Sequence, residues 1–306
     1  MKVLVTGVGG QLGYDVVNEL EKRGHAVIAT DVAERDAVSC FDPASAAARV
    51  PYVRLDLTHR DAVRAFLLSE RPDAVVHCAA WTAVDLAELP ENREKVYAVN
   101  VLGTEYLAEC CGELGAKMIY LSTDYVFDGT GEAPWTPDSR DYAPLNYYGE
   151  TKLEGEKRVA ARLDRYFIVR IAWVFGVNGK NFVKTMLSLG EKHDTLQVVC
   201  DQIGTPTYTF DLARLLADML ETERYGYYHA TNGGGYISWY DFAREIMEAA
   251  GLPARVLPVT TAEYGVKGAR RPFNSRLEQG KLTEMGFTPL RPWKEALRDY
   301  LLKIGR

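Results

Sequence analysis

The chain has 306 residues, of which 47% are hydrophobic and 25% are charged, and its net charge at pH 7 is -6. A chain of this length can bury a sizeable hydrophobic core, as one large domain or as two unequal ones. Its acidic balance offers no basic face to a nucleic-acid backbone, so we expect no nucleic-acid partner.

The cysteines and the apolar segments indicate where such a protein works. Five cysteines without a Cys-x-x-Cys spacing favour neither a disulfide framework nor a zinc site. Unpaired cysteines are typical of a reducing compartment. Residue 1 leads directly into a strand, and no run of about 18 apolar residues occurs. We therefore expect a soluble cytoplasmic protein that binds neither a metal nor a membrane.

The first predicted unit is a strand, a glycine turn and a helix. The apolar run 2–6 ends in a glycine-rich stretch, and a helical pattern follows up to Gly24. Glycines at 7, 10 and 13 allow a tight turn and let a pyrophosphate approach the N-terminus of the helix. This unit predicts a dinucleotide site.

The second strand, 25–30, ends in Asp31. A carboxylate there can bind the adenosine ribose and repels a 2′-phosphate, which favours NAD over NADP, although Arg35 could compensate. Residues 33–50 lack a clear period and predict a long surface connection containing a helical turn.

A second β-α-β unit follows. A third strand at 52–55 ends in Asp56 and Leu57, and a fourth at 74–78 is apolar throughout, as suits a strand buried on both faces. His77 lies inside that strand, and we interpret it as structural rather than catalytic. The small residues after it, from 78 to 85, leave room for a cofactor.

The helical segment 88–114 leads to a fifth strand at 117–121, which ends in Ser122-Thr123-Asp124. After a loop at 128–144, Tyr148 and Lys152 open a helix that runs to about Arg162. The two side chains are one turn apart on one face. A phenol has a pKa of roughly 10, so a nearby ammonium such as that of Lys152 could favour the phenolate.

The regular alternation ends after a sixth strand at 166–171. Helices are predicted at 182–189, at 210–223, from an N-cap at Ser238 to Gly251, and at 292–304, with a short strand at 196–199. The fold class is therefore α/β: a Rossmann-like, doubly wound parallel sheet with a smaller, discontinuous C-terminal substrate lobe. The dinucleotide-binding domain would span 1–172, with 205–230 returning to it, and the lobe would span 173–204 and 231–306.

Six motifs in this order resemble the extended short-chain dehydrogenase/reductase family and, within it, the dTDP-4-dehydrorhamnose reductases. The resemblance covers nearly the whole chain. The motifs are Gly7-x-x-Gly10-Gln11-Leu12-Gly13, Ala79-Ala80-x-Thr82-Ala83-Val84-Asp85, Ser122-Thr123-Asp124-Tyr125-Val126-Phe127, Pro144-Leu145-Asn146-x-Tyr148-Gly149-x-Thr151-Lys152, Asp201-Gln202-x-Gly204-x-Pro206-Thr207 and Arg271-Pro272-x-Asn274-Ser275-Arg276.

The resemblance implies roles for individual residues. Tyr148, Lys152 and Thr123 would be catalytic. The residues expected to contact NADPH or NADH are Gly7, Gly10, Gln11, Leu12, Gly13, Asp31, Asp56, Leu57, Ala79, Ala80, Trp81, Thr82, Tyr148 and Lys152. The residues expected to contact a nucleotide sugar are Thr123, Asp124, Trp173, Asn181, Arg271 and Arg276.

Some of these assignments have competing interpretations. Trp173 is either a platform for the thymine ring or a buried aromatic without a ligand. Arg271 and Arg276 either pair with the sugar diphosphate or form surface salt bridges. Some members of the family form a metal-bridged dimer through acidic residues, and Tyr208-Thr209-Phe210 occupies that place here. We therefore expect no such metal, and a monomer or weak homodimer.

The implied reaction is reduction of the C4 ketone of dTDP-4-dehydro-β-L-rhamnose to dTDP-β-L-rhamnose, with Tyr148 as proton donor. Two alternatives remain open. One is another nucleotide-sugar reductase, dehydratase or epimerase on this fold, of which the dehydratase is disfavoured because Tyr125 replaces the family's glutamate. The other is a non-catalytic, NADP-binding regulatory subunit. The connection 33–50 is longer than the family's usual connection, which leaves the choice between NADH and NADPH open.

Overall fold

The computed structural model describes residues 1–265 and 268–306. The strands are β1 (Lys2–Thr6), β2 (Ala26–Asp31), β3 (Tyr52–Arg54), β4 (Ala74–His77), β5 (Lys117–Thr123), β6 (Tyr166–Ile171), β7 (Val174–Phe175), β8 (Thr195–Val199), β9 (Ile203–Gly204), β10 (Thr207–Tyr208), β11 (Gly226–His229), β12 (Ile237–Ser238) and β13 (Arg255–Val259). The helices are α1 (Gln11–Lys22), α2 (Ala46–Arg49), α3 (Arg60–Glu70), α4 (Val84–Ala87), α5 (Pro90–Tyr97), α6 (Thr104–Leu114), α7 (Tyr147–Ala160), α8 (Phe182–Gly190), α9 (Thr209–Leu220), α10 (Trp239–Ala249), α11 (Thr261–Tyr264), α12 (Gly280–Glu284) and α13 (Trp293–Lys303).

A seven-stranded parallel sheet forms the centre of the molecule, in the order β11-β6-β5-β4-β1-β2-β3. The predicted Rossmann-like α/β fold is confirmed. Strands β4 and β5 are buried along their whole length, because helices cover both faces of the sheet. The chain winds outwards from β1 to β3 and then crosses to β4 on the other side of β1. The carboxyl ends of β1 and β4 therefore flank the point where such sheets bind ligands.

The segment after the sixth strand contributes to both parts of the molecule. Helix α9 packs against α1, and β11 pairs with β6 as an edge strand of the main sheet. The remaining C-terminal strands form two-stranded pairs, β7 with β10, β8 with β13 and β9 with β12. Buried side chains join β1 to α13 in one continuous hydrophobic core. The domain boundary at residue 172 stays a prediction.

Two segments add detail to the sequence prediction. The predicted helix 88–114 comprises α5, a π-helical stretch at Ala98–Gly103, and α6. The connection 33–50 contains a 3-10 turn at Arg35–Ala37 as well as the single turn of α2. Within the described residues, no helix is long and apolar enough to span a bilayer.

Candidate active site

A cleft of about 1110 Å³ opens along the carboxyl edge of the central sheet. This volume suits a dinucleotide together with a second ligand. Most of the predicted site residues line it, namely Gly7, Gly10, Gln11, Leu12, Gly13, Asp31, Asp56, Leu57, Ala79, Ala80, Trp81, Thr82, Thr123, Asp124, Tyr148, Lys152 and Trp173.

The glycine turn after β1 has the shape that a pyrophosphate requires. Gly7 has φ +70°, and a β-carbon there would lie 2.6 Å from the backbone nitrogen of Ala79. A β-carbon on Gly13 would collide with the carbonyl oxygen of Gly7. Because Gly10 caps α1 without a side chain, the first N–H groups of that helix face the cleft without a side-chain acceptor. These residues fit the phosphates of NADH or NADPH.

Asp31 stands at the end of β2 on the same side of the cleft. Its carboxylate accepts hydrogen bonds from the backbone N–H groups of Gly9 (3.0 Å) and Val32 (2.8 Å). Arg35 is turned to other partners, since it donates to the carbonyl of Ala47 (2.8 Å) and lies over the ring of Tyr52. The sequence allowed Arg35 to offset the negative charge of Asp31, but in this structure Arg35 does not do so.

Helix α7 carries Tyr148 and Lys152 into the cleft. Asn146 caps it by accepting a hydrogen bond from the N–H of Gly149 (2.9 Å). A β-carbon on Gly149 would collide with the carbonyl oxygen of Tyr125, so the absence of a side chain lets the start of the helix approach the turn after β5. Tyr148 and Lys152 consequently lie beside Thr123, on the same edge of the sheet.

Burial governs the proton affinity of both helix residues. It raises the pKa of Tyr148 above its ordinary value, as does the charge of Asp124, while the Thr123 hydroxyl acts in the opposite direction. Burial lowers the pKa of Lys152 to about 7, although the negative charge of Glu156 opposes this shift. The Lys152 ammonium lies 4.1 Å from the centre of the Tyr120 ring. It is thus directed at the sheet, and the lowering of the Tyr148 pKa that we expected from it is not seen in this structure.

Thr123 and Asp124 form a polar pair at the end of β5. The Thr123 hydroxyl donates to Asp124 Oδ1 (2.9 Å) and accepts from the N–H of Tyr125 (3.2 Å). The other carboxylate oxygen, Asp124 Oδ2, is buried and has no hydrogen bond of ordinary geometry with any described residue, although the Ser275 side chain is near enough to lower the pKa of this carboxyl. Burial raises the pKa of Asp124 to about 6. An unpaired acceptor in a cleft is suited to a ligand hydroxyl.

Two tryptophans, Trp173 and Trp239, also line the cleft. Trp173 has φ 51°, which is unusual for a residue with a large side chain, and its ring stacks on that of Trp239 at 3.8 Å between centroids. Trp239 was not among the site residues predicted from the sequence. Its only signal was its place directly after the predicted N-cap Ser238.

Three predicted substrate residues do not belong to the described lining of the cleft. Asn181 caps α8 and donates to the carbonyl of Gly176 (2.8 Å) and to Gln11 Oε1 (3.0 Å). Arg271 forms an ion pair with Asp85 (2.7 Å). Arg276 donates to Asn274 Oδ1 (3.0 Å). Their contacts in this structure are structural, and their substrate roles stay predictions.

Two lysines that the sequence analysis did not single out, Lys95 and Lys180, line the cleft. Their side chains are exposed, and neither forms an ion pair with any described residue. Lys180 directly precedes Asn181, so its position just before a capped helix was the only sequence signal.

The interpretation of His77 as a buried structural residue is confirmed. The ring shares hydrogen bonds with the hydroxyl groups of Thr6 (2.8 Å) and Thr104 (3.0 Å), and burial lowers its pKa to about 3. The five cysteines are unpaired. Over 1–265 and 268–306 there is no group of three potential metal-ligating side chains.

Comparison with known proteins relates this site to a family. The model of the RmlD substrate binding domain matches residues 1–305. The chain is 40% identical to a dTDP-4-dehydrorhamnose reductase of Streptomyces griseus, over 97% of this chain and 91% of that protein. The crystal structure of a dTDP-4-dehydrorhamnose reductase from Clostridium acetobutylicum is 40% identical, with a TM-score of 0.89 and full coverage of both chains. A Bacillus anthracis dTDP-4-dehydrorhamnose reductase in complex with NADP is 34% identical, with a TM-score of 0.85 over 99% of both chains.

Proposed function

The chain belongs to the RmlD substrate binding domain family and is an NAD(P)H-dependent oxidoreductase, and from this premise we propose that it reduces the C4 ketone of dTDP-4-dehydro-β-L-rhamnose to dTDP-β-L-rhamnose. The observation that carries the proposal is the meeting of Thr123, Tyr148 and Lys152 at one edge of the cleft, next to a glycine turn shaped for a dinucleotide.

Three side chains of the cleft act together with the cofactor in this reaction, namely those of Thr123, Tyr148 and Lys152. The nicotinamide cofactor, when bound, supplies the hydride that C4 receives. Tyr148 donates its phenolic proton to the C4 oxygen as the negative charge develops there. Because the pKa of Tyr148 is raised, the phenol is protonated at neutral pH and available as an acid. Thr123 donates a hydrogen bond to the same oxygen, and Lys152 would hold the nicotinamide ribose.

The part of the cleft that is lined by Trp173 and Trp239 would bind the nucleotide sugar. The stacked pair of Trp173 and Trp239 offers an aromatic surface for the thymine ring. Asp124 Oδ2, which has no hydrogen bond of ordinary geometry with any described residue, can accept one from a sugar hydroxyl. Lys95 and Lys180 add positive charge near the site of a diphosphate.

The competing functions fit the site less well. A dehydratase needs an acid-base group beside the catalytic threonine, and Tyr125 lies there with its ring edge-on to that of Tyr148. Burial also raises the pKa of the Tyr125 phenol well above neutrality. A regulatory subunit without activity would not require Thr123, Tyr148 and Lys152 together.

We further propose that the enzyme is cytoplasmic and works as a monomer or weak homodimer, since its cysteines are unpaired and Tyr208-Thr209-Phe210 stands where some relatives bridge a dimer through a metal. Analytical ultracentrifugation at micromolar concentrations, with and without EDTA, measures this directly. A stable dimer that EDTA dissociates would contradict it.

The experiment that tests the proposed function is turnover of a small panel of nucleotide 4-ketosugars by the purified protein alone, with NADH and NADPH compared side by side. We expect oxidation of the reduced cofactor with dTDP-4-dehydro-β-L-rhamnose and formation of dTDP-β-L-rhamnose. Cofactor binding without turnover of any panel member would favour the regulatory subunit instead.

A further inference from the structure

Glu156 lies one turn beyond Lys152 on α7, so that Tyr148, Lys152 and Glu156 form a single stripe along the helix. Glu156 is 1% exposed and does not line the cleft. A buried carboxylate is costly unless it is fully paired, so its partners indicate what it does.

Those partners belong to two strands of the central sheet. Glu156 Oε1 accepts hydrogen bonds from the hydroxyl of Ser122 (2.5 Å) and from Arg170 Nε (2.8 Å), and Oε2 accepts from Arg170 Nη2 (2.8 Å). Ser122 directly precedes Thr123 on β5, and Arg170 faces it in register on β6. One carboxylate therefore ties the helix that carries Tyr148 and Lys152 to the strand that carries Thr123.

Arg170 is itself held in place. It is 0% exposed, and its remaining donors reach the Tyr142 hydroxyl (2.7 Å) and the Pro137 carbonyl (3.4 Å). The Arg170–Glu156 pair is bidentate and fully desolvated, a geometry that fixes both side chains. Breaking such a pair is far more disruptive than loss of a surface ion pair.

The Glu156 carboxylate also lies one helical turn from the buried Lys152, on the same face of α7. Lys152 is 3% exposed and otherwise rests on the Tyr120 ring, whose hydroxyl donates to the Lys152 carbonyl (3.1 Å). The negative charge of Glu156 favours the charged form of Lys152, against the burial that lowers its pKa. The titratable groups around Lys152 are Tyr148 and Glu156 on α7, His77 and Cys78 at the end of β4, and Tyr120 on β5.

From this geometry we propose that Glu156 is a positioning residue for the reduction: through Ser122 it sets Thr123 against α7, and through its charge it keeps Lys152 an ammonium. This inference rests on the proposed function, because it concerns the same three catalytic groups. It adds a residue that lies behind the site and touches neither ligand.

The test compares Glu156→Gln with Glu154→Gln, a matched control on the same helix whose carboxylate forms ion pairs, among the described residues, with the exposed Lys157 and the half-buried Arg158. We expect Glu156→Gln to lower kcat on the order of tenfold at little changed KM, whereas Glu154→Gln should match the wild type. The ammonium of Lys152 is present below its pKa and is lost as the pH rises through it. Removing the negative charge should therefore move the alkaline fall of kcat/KM to lower pH, by about one unit.

A purely structural Glu156 would give a less stable protein with the wild-type kcat and an unshifted alkaline limb, which would overturn the proposal. If Glu156→Gln does not fold, the variant Ser122→Ala tests the proposal instead. It keeps the ion pair between Glu156 and Arg170 and removes only the hydrogen bond from the Ser122 hydroxyl on β5 to Glu156. We expect kcat of Ser122→Ala to fall several-fold at unchanged KM, and an unchanged kcat would overturn the proposal.

Failure of the proposed function would show differently. A wild-type protein that binds NADH but turns over no 4-ketosugar would reject the function. The pH dependence of NADH affinity still reports on Lys152 in that case. As the pH rises, the affinity for NADH should begin to fall at a lower pH in Glu156→Gln than in the wild type. Identical pH profiles of the two proteins would reject the positioning role.

Discussion

The catalytic edge of the sheet and the segment that carries Arg271 are held in place in different ways. On the sheet side, Thr123, Tyr148 and Lys152 stand on β5 and α7, and their places are set by regular elements that pack together without a ligand. Outside the described lining of the cleft, Arg271 lies in an irregular segment and its guanidinium is bound to Asp85. Groups on the sheet side are thus ready for chemistry, while Arg271 would have to exchange one partner for another to bind substrate.

The largest expected effect lies on the sheet side. Tyr148→Phe should retain cofactor binding but lower kcat by at least about a hundredfold, because only the donated proton is lost. Tyr147→Phe is the matched control, since the Tyr147 hydroxyl donates to the carbonyl of Arg93 at the surface (3.2 Å). Steady-state kinetics with both variants measure this. If Tyr147 proved to be the sensitive residue, the assignment of the proton donor would be wrong.

The second prediction concerns the energetic cost of a sheet side that is assembled before substrate arrives. Burial raises the pKa of Asp124 to about 6, so charging its carboxylate at neutral pH destabilises the fold. Asp124→Asn should therefore increase the free energy of unfolding at pH 8, by roughly 1–3 kcal/mol. The gain should shrink as the pH falls from 8 towards 4, because the wild-type carboxyl becomes protonated. Urea unfolding at several pH values measures it, and a gain that is constant across pH would show that charge is not the cause.

A third prediction tests the cofactor end of the sheet edge. Asp31→Ala should weaken NADH more than NADPH and change their affinity ratio by roughly tenfold, since a 2′-phosphate would no longer face a carboxylate. Asp31→Asn is the sharper variant, because it removes the charge and can still accept the hydrogen bond from Gly9. Fluorescence titrations with both cofactors measure the ratio. Equal effects on NADH and NADPH would show that Asp31 does not face the ribose.

The smallest effect is expected at Arg271. Arg271→Lys should raise the KM for the sugar nucleotide only about two- to fivefold, because the native guanidinium already has Asp85 as a competing partner. Binding of NADH should not change. A loss of cofactor affinity with an unchanged KM would place Arg271 at the other ligand.

The difference between the two sides also explains what could be predicted from sequence. The strands and the glycine turn follow from apolar runs and from positions where a side chain does not fit, as at Gly7 and Gly13. Parallel strands end at one edge, so residues directly after them, such as Thr123, could be placed without knowledge of any distance.

Features that depend on long-range contacts could not be predicted in this way. The pairing of Trp173 with Trp239 joins residues 66 positions apart, and the ion pair of Asp85 with Arg271 joins residues 186 positions apart. Helix spacing likewise places Lys152 near Tyr148 but does not reveal the Tyr120 ring on which its ammonium lies. The periodicity of a sequence predicts on which face of a helix or strand a residue lies, whereas the residue that it contacts there depends on the fold.

The most direct test of the proposed reduction follows hydrogen into the product. Purified protein would receive dTDP-4-dehydro-β-L-rhamnose and a reduced nicotinamide cofactor that carries deuterium at the transferable position, in ordinary water. We expect dTDP-β-L-rhamnose with one deuterium, bound to C4, as read by mass spectrometry and NMR. A product that lacks deuterium at C4, or no product while the cofactor still binds, would contradict hydride transfer to the C4 ketone.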